Sequence, residues 1–455
     1  FFDILEKLPL FPDPRKVLYF KDLNCISDYV YHSLVSDFNL PLPTLYRIKQ
    51  IRQALNSNFK LTDHIPFSKF VDIGAKIIFH LNHFLKNLQN LDDFNGPLKV
   101  KFSADGTNIG RNLNLINFTF TILNESDKAK TSSGNYTIGI SQLDEEYNDL
   151  KEPLNYLNDQ IKNLKEINFN NKTYKIEYFF CSDWKFTAAS LGLYAASSNH
   201  PCIWCNAKKG DFWDIDRNFS IVDFSLNARN DVEHKSIVNN KKGKENLGYK
   251  NLNLLDFEYN RCIIDTLHLF LRISDKLLDL FVKEICLEDD VENKIDLSKH
   301  KCLSKFFSLL NTECKVKVEP FLYVSGDKVC RDFTGPEKLK IFNKLEISKE
   351  FKEIRNNELI NKLWKDFLSI YNDLRENTLT PQLTEMKTKQ LMRLFLSIYI
   401  KSHITPYIHA FCSHLHQFQR LYGDINLFSL QGLEKLNDQT TTQYFKASNK
   451  KVKTI

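Results

Sequence analysis

The order of strand-like and helical segments between Pro97 and Cys205 leaves this chain few folds to adopt. "LKVKFSAD" alternates apolar and polar residues, "NLINFTFTILN" follows after the turn-like "GTNIGRN", and "NYTIGISQ" supplies a third run of the same kind. A helical period comes next in "DEEYNDLKEPLNYLNDQIKNLKEI", with a break near Pro153, and "NKTYKIEYFFCSD" returns to strand and ends on Asp183. A short helix over "WKFTAASLGLYAAS" then leads into "HPCIWC", the expected fifth strand.

Strand, strand, strand, helix, strand, helix, strand is the ribonuclease H-like order. It predicts an α/β fold with a five-stranded mixed sheet, its first three strands a meander and its fourth parallel beside the first. Asp105 at the end of strand one and Asp183 at the end of strand four would then be neighbours. Each also has a plain structural reading. An Asp before Gly is an ordinary turn signal, and an Asp before a helix is an ordinary N-cap.

Around this core the chain divides into four parts. Residues 1–95 read as mostly helical, on "LPTLYRIKQIRQALNSNF" and "FSKFVDIGAKIIFHLNHFLKNLQNL", where His80 and His83 read as surface or core histidines. Residues 96–210 carry the first part of the sheet. Residues 211–400 read as a helical insertion, with "RCIIDTLHLFLRISDKLLDLFVKEI" as its strongest helix and "DVEHKSIVNNKKGKENLGYKN" as a polar, flexible connection. Residues 401–455 are a helical C-terminal part.

Hydrophobic residues make up 42% of the chain and Phe alone numbers 36, which is enough for a packed core and excludes a disordered protein. No run approaches the roughly 18 apolar residues that a membrane-spanning helix needs. The ten cysteines are scattered, which points to a reducing compartment rather than a disulfide framework. A formal charge of +6 permits a nucleic-acid partner without requiring one. The basic runs "NAKKG", "NNKKGKEN" and "NKKVK" read as solvated loops that can also touch phosphates. The chain opens on Phe and not Met, which suggests a fragment or a processed product.

Cys202 and Cys205 form a CxxC pair, half of a tetrahedral metal site. The densest histidine cluster lies far away in "TPYIHAFCSHLHQFQRLYGDINLFSLQGLEKLND", with His409, His414 and His416. Thiolate and neutral imidazole are the ligands zinc prefers. On an ideal helix His409 and His414 stand roughly 140° apart, whereas His416 lies on nearly the same face as His409. Spacing alone leaves His414 and His416 as alternatives. His268, in an apolar helix, reads as a satisfied core histidine.

These segments together resemble the catalytic core shared by Transib transposases and the catalytic subunit of the V(D)J recombinase, from about residue 97 to about 437. "KVKFSADG" resembles the segment of that family's first catalytic Asp. "YFFCSDWKFTAASLGLYAASSNHPCIWC" resembles the segment of the second, with the CxxC nineteen residues after Asp183 as in the family. "CIIDTLHLF" and "VEPFLYVSGDKVCRDFTGPEKLKIF" resemble parts of the insertion domain. "ITPYIHAFCSH" resembles the segment bearing two zinc histidines spaced H-x₄-H, and the final catalytic Glu, about twenty residues on, falls at Glu434.

The resemblance implies Cys202, Cys205, His409 and His414 as a closed structural zinc site, and Asp105, Asp183 and Glu434 as a catalytic triad. It implies two Mg²⁺ or Mn²⁺ ions, which prefer carboxylate oxygen and serve phosphoryl transfer by activating the attacking oxygen and stabilising the leaving one. It implies a DNA transposase or recombinase that nicks and then transfers strands of double-stranded DNA, as a homodimer, in the nucleus and with no membrane association. The alternative expectation is a domesticated or decayed relative, a zinc-stabilised DNA- or protein-binding module without catalysis. The family's RING-type and end-binding regions have no visible counterpart in residues 1–95. Around Glu434 only Gly432 and the spacing match the family.

Overall fold

The structure is a computed structural model and describes residues 12–447, apart from 58, 63–64, 89–93, 111–112, 241–245 and 326–327. The basic run at 449–453 and most of the one at 239–246 lie outside the described residues. The fold is mixed α/β. It divides into two compact units, one made of residues 1–178 and 431–455, the other of residues 179–430.

The first unit begins with three short helices, α1 (Pro14–Leu23), α2 (Asp28–Ser36) and α3 (Leu45–Asn56), closed around Leu18, Tyr31 and Ile48. Strands β1 (Leu61–Thr62) and β2 (Ser68–Val71) follow, then helix α4 (Ile73–Lys86). The sequence predicts helix throughout "FSKFVDIGAK". Instead Asp72 caps α4 by accepting from the Ala75 N–H, and the four residues before it pair with the sheet. His80 lies in an aromatic cage, its ring 3.9 Å from that of Tyr136.

Strands β3 (Leu98–Ile109), β4 (Leu113–Ile122) and β5 (Tyr136–Ser141) form the expected meander, with Asp105 directly opposite Asn117. Helix α5 (Tyr147–Lys162) precedes the hairpin of β6 (Glu166–Phe169) and β7 (Lys172–Phe180). Helix α5 runs through Pro153 without a break. Its apolar stripe of Leu150, Leu154, Leu157 and Ile161 is buried, which offsets the one hydrogen bond that the proline removes.

The sheet has seven strands in the order β1-β2-β5-β4-β3-β7-β6. The expected adjacency of first and fourth strands appears as β3 beside β7. The expected count of five does not hold. Strands β1, β2 and β6 are extra, and "HPCIWC" contributes only a one-residue bridge from Cys205 to Ala228. Its backbone is committed elsewhere, as described below.

The second unit holds helices α6 (Trp184–Ser190), α7 (Asp231–Asn240), α8 (Thr266–Glu288), α9 (Lys301–Thr312), α10 (Gly335–Lys344), α11 (Ile347–Glu350), α12 (Asn357–Arg375), α13 (Pro381–Ile398), α14 (Pro406–Ser413) and α15 (Leu415–Tyr422). The chain then returns to the first unit in α16 (Gln431–Ala447). Helix α6 stops early because Gly192 turns left-handed at φ 65°, where a side chain would strike the Asn251 backbone. The segment expected as a flexible connection contains α7, anchored by buried His234 between the Tyr259 hydroxyl (2.7 Å) and the Asn251 carbonyl (2.6 Å). Among the described residues no helix is long and apolar enough to cross a membrane.

Candidate metal centre and acidic residues

Cys202, Cys205, His409 and His414 converge in the second unit with no solvent exposure. Their ligand atoms all lie within 4.8 Å of one another. Cys202 Sγ is 3.4 Å from His414 Nε2, and Cys205 Sγ is 3.4 Å from His409 Nε2. A zinc tetrahedron with bonds of about 2.0–2.3 Å has edges of roughly 3.3–3.8 Å. The cluster can therefore hold a metal such as zinc, with no position left for water.

Two local features build it. The helix that carries His409 ends at Ser413, and His414 sits at the junction with φ −119° and ψ −23° before α15 begins. That break removes the angular mismatch of an uninterrupted helix. Gln417 bridges it by donating to the Ser413 carbonyl (2.6 Å) and the Phe219 carbonyl (2.7 Å) while accepting from the Ile221 N–H (3.0 Å). Phe212 stacks on the His409 ring at 4.0 Å.

The second feature was not foreseen from the sequence. Arg229 is buried, and its guanidinium donates to the carbonyls of Cys202 (2.8 Å), His200 (3.0 Å) and Leu247 (2.7 Å) beneath the face of Tyr249. The Arg229 N–H donates to the Trp204 carbonyl (3.0 Å), and the Trp204 indole donates to the Cys262 carbonyl (2.6 Å). Backbone groups that a strand would have paired with a neighbour instead bind Arg229, so the CxxC segment forms a braced turn.

Burial disfavours ionising either thiol. Hydrogen bonding to Cys205, with His414 and His409 beside it, nonetheless holds Cys202 well below the usual thiol range, while burial pushes Cys205 well above it. Burial also lowers His409, keeping the imidazole neutral as a metal ligand requires. His416 is outside the cluster. Its Nε2 lies 3.7 Å from Glu385, beside a cavity of about 360 Å³ that Lys389 and Arg420 also line.

In the first unit Asp105 is 8% exposed on β3, and its Oδ2 accepts from Asn437 Nδ2 at 2.7 Å. Asn437 Oδ1 in turn accepts from Asn117 Nδ2 at 3.1 Å. Glu434 is part-buried one turn earlier on the same face of α16. Gly432 lets this helix start against the 132–134 turn, since a β-carbon there would sit 2.7 Å from the Thr131 carbonyl. Asp438 is exposed, and Asp424 caps the 425–428 turn in the second unit. Glu145, another acid the sequence reading passed over, accepts from the Gly106 N–H at 2.9 Å.

Asp183 belongs to the second unit and caps α6, accepting from the Phe186 N–H at 2.7 Å. That bears out its plain reading and leaves a metal-binding role to argument from spacing. The same unit holds buried Asp265, whose Oδ2 lies 2.5 Å from His268 Nδ1 and whose Oδ1 accepts from the Leu430 N–H at 2.9 Å. His268 is thus a satisfied histidine, as its place in an apolar helix leads one to expect, with a buried acid as its hydrogen-bond partner. Tyr407 is pushed up by burial, with the charges of Asp183 and Asp265 adding and Arg272 opposing. Asp265 and His268 were legible only as part of "CIIDTLHLF".

No family model matches the chain, and no curated protein matches it.

Proposed function

We propose that the chain is a DNA transposase or recombinase of the DDE type, cutting phosphodiester bonds by hydrolysis and joining strands by transesterification. The observation that supports it most is the docking of the Glu434 helix on the Asp105 strand through Asn437, across 332 residues of sequence. A carboxylate-bearing strand and a carboxylate-bearing helix so joined suit a hard cation such as Mg²⁺ or Mn²⁺, for which carboxylate oxygen is the preferred donor. Asp105 and Glu434 are the residues that would hold it, and the sequence resemblance implies Asp183 as the third acid. When bound, such ions supply activation of the attacking oxygen and stabilisation of the leaving one. The Asn437 amide that donates to Asp105 is neutral and does not itself cancel the carboxylate's charge. The Cys₂His₂ cluster would take a zinc with a structural role only. Double-stranded DNA as substrate, a homodimeric state and a nuclear site of action follow from the sequence resemblance.

The test is nicking of supercoiled plasmid by the full chain with Mg²⁺ and with Mn²⁺. Activity that falls at least about 100-fold in each of Asp105→Asn, Asp183→Asn and Glu434→Gln supports the proposal. Nicking retained in Asp183→Asn removes that residue from the mechanism. A wild-type chain that binds DNA without cutting it would fit the non-catalytic alternative.

A further inference from the structure

Asn437 is 3% exposed and uses both ends of its amide. Its Nδ2 donates to Asp105 Oδ2 at 2.7 Å, and its Oδ1 accepts from Asn117 Nδ2 at 3.1 Å. Asn117, also 3% exposed, stands opposite Asp105 in the β3–β4 register. An ionised carboxylate can only accept, so the Asn437 amide has one orientation that satisfies both neighbours. Asn117 thereby sets Asn437, and Asn437 sets Asp105. One buried acceptor is left over, since Asn117 Oδ1 has no hydrogen-bond partner among the described residues. A buried acceptor without a donor is costly and calls for a reason.

From this chain of amides we infer that Asn437 is a positioning residue for metal binding at Asp105, with Asn117 as its support. The inference deepens the function proposed above and rests on it. An asparagine suits the task better than the alternatives at this position. A Lys or Arg would pair with the carboxylate and compete with the cation for its charge. An Asp would repel it. An Ala would remove the amide that donates to Asp105 Oδ2. Because Asn437 lies three residues after Glu434, its bond to Asp105 also fixes where Glu434 stands along β3. The unpartnered Asn117 oxygen is the acceptor that a water ligand of the cation would satisfy.

A buried Asn pair can also be purely structural, and the experiment separates the two roles. Mn²⁺ binding to the zinc-loaded full chain is measured by calorimetry for the wild type, Asp105→Asn, Asn437→Ala, Asn117→Ala and the double alanine variant. Mn²⁺ disfavours thiolate sites, so the zinc cluster does not interfere. The expected result is Asp105-dependent binding that Asn437→Ala weakens about 10–100-fold, the size typical of residues that orient metal ligands. Asn117→Ala weakens it less, and the double variant matches Asn437→Ala, because Asn117 acts through Asn437. Nicking by Asn437→Ala then returns towards the wild-type rate at high Mn²⁺. Should Asn437→Ala fail to fold, the milder Asn117→Ala carries the test alone, through its Mn²⁺ affinity at unchanged thermal stability. Asp105-dependent Mn²⁺ binding of normal strength in both alanine variants would overturn the inference and leave the proposed function standing. A wild-type chain with no Asp105-dependent Mn²⁺ binding overturns both.

Discussion

His409 and His414 are five residues apart in sequence, yet only His409 lies within a helix, because α14 ends at Ser413, His414 forms the junction and α15 starts at Leu415. The break aims both imidazoles at Cys202 and Cys205, and it leaves His416 to face Glu385 instead.

The two histidines should therefore respond differently to substitution. His414→Ala is expected to reduce bound zinc to well below one ion per chain and to lower the melting temperature, because a closed structural site contributes its binding free energy to folding. His416→Ala should keep its zinc. Metal analysis of the two purified variants decides the matter, and zinc retained by His414→Ala would remove His414 from the ligand set.

Arg229 should matter nearly as much as a ligand. Arg229→Met preserves bulk and removes donors from two buried carbonyls, each of which costs about 1–3 kcal/mol when left unpaired, and from a third that is part-buried. Urea unfolding should show a loss of several kcal/mol, and the chelator concentration needed to strip zinc should fall. A variant with unchanged chelator resistance would show that the turn holds its thiols without Arg229.

What was legible in the sequence follows from the range of the forces involved. The meander could be read because β3, β4 and β5 alternate locally, and α8, α12 and α13 because their apolar stripes repeat locally. The CxxC pair and the histidine cluster could be read because metal chemistry restricts residue type, whereas spacing left His414 and His416 open and only the family resemblance favoured His414. The "HPCIWC" turn could not, because its apolar residues look like strand and the partner that overrides the pattern, Arg229, is 27 residues from Cys202. Strand β2 was hidden because Phe70 and Val71 fit a helical period as well as an extended one. Asn437 carried no signal, since an Asn in a polar helix is ordinary until β3 is beside it.

Gly432 should be intolerant of a side chain. In Gly432→Ala the new β-carbon meets the Thr131 carbonyl and the Asn135 amide, which are themselves joined at 2.8 Å. Overpacking of this kind costs about 1–3 kcal/mol. The helix start would shift away from the 132–134 turn, and nicking should drop further than stability alone explains. Full activity at normal stability would mean that the turn, not the helix, yields.

Acid should weaken the first unit through His80. Burial, with Lys76, Lys128 and His83 adding, lowers this imidazole to about 4, from 6.5 in the unfolded chain. Between those values the unfolded chain binds the proton and the folded chain does not. The His80 contribution is thus fully present above pH 6.5 and is lost progressively as the pH falls towards about 4. His80→Phe keeps a ring against Tyr136 and Phe120 and removes the titration. Its urea midpoint should fall less than that of the wild type between pH 7 and pH 4.5, with both proteins zinc-loaded and compared in the same buffers. Parallel curves for the two proteins would mean that His80 is protonated in the fold, and that its aromatic cage does not exclude the charge.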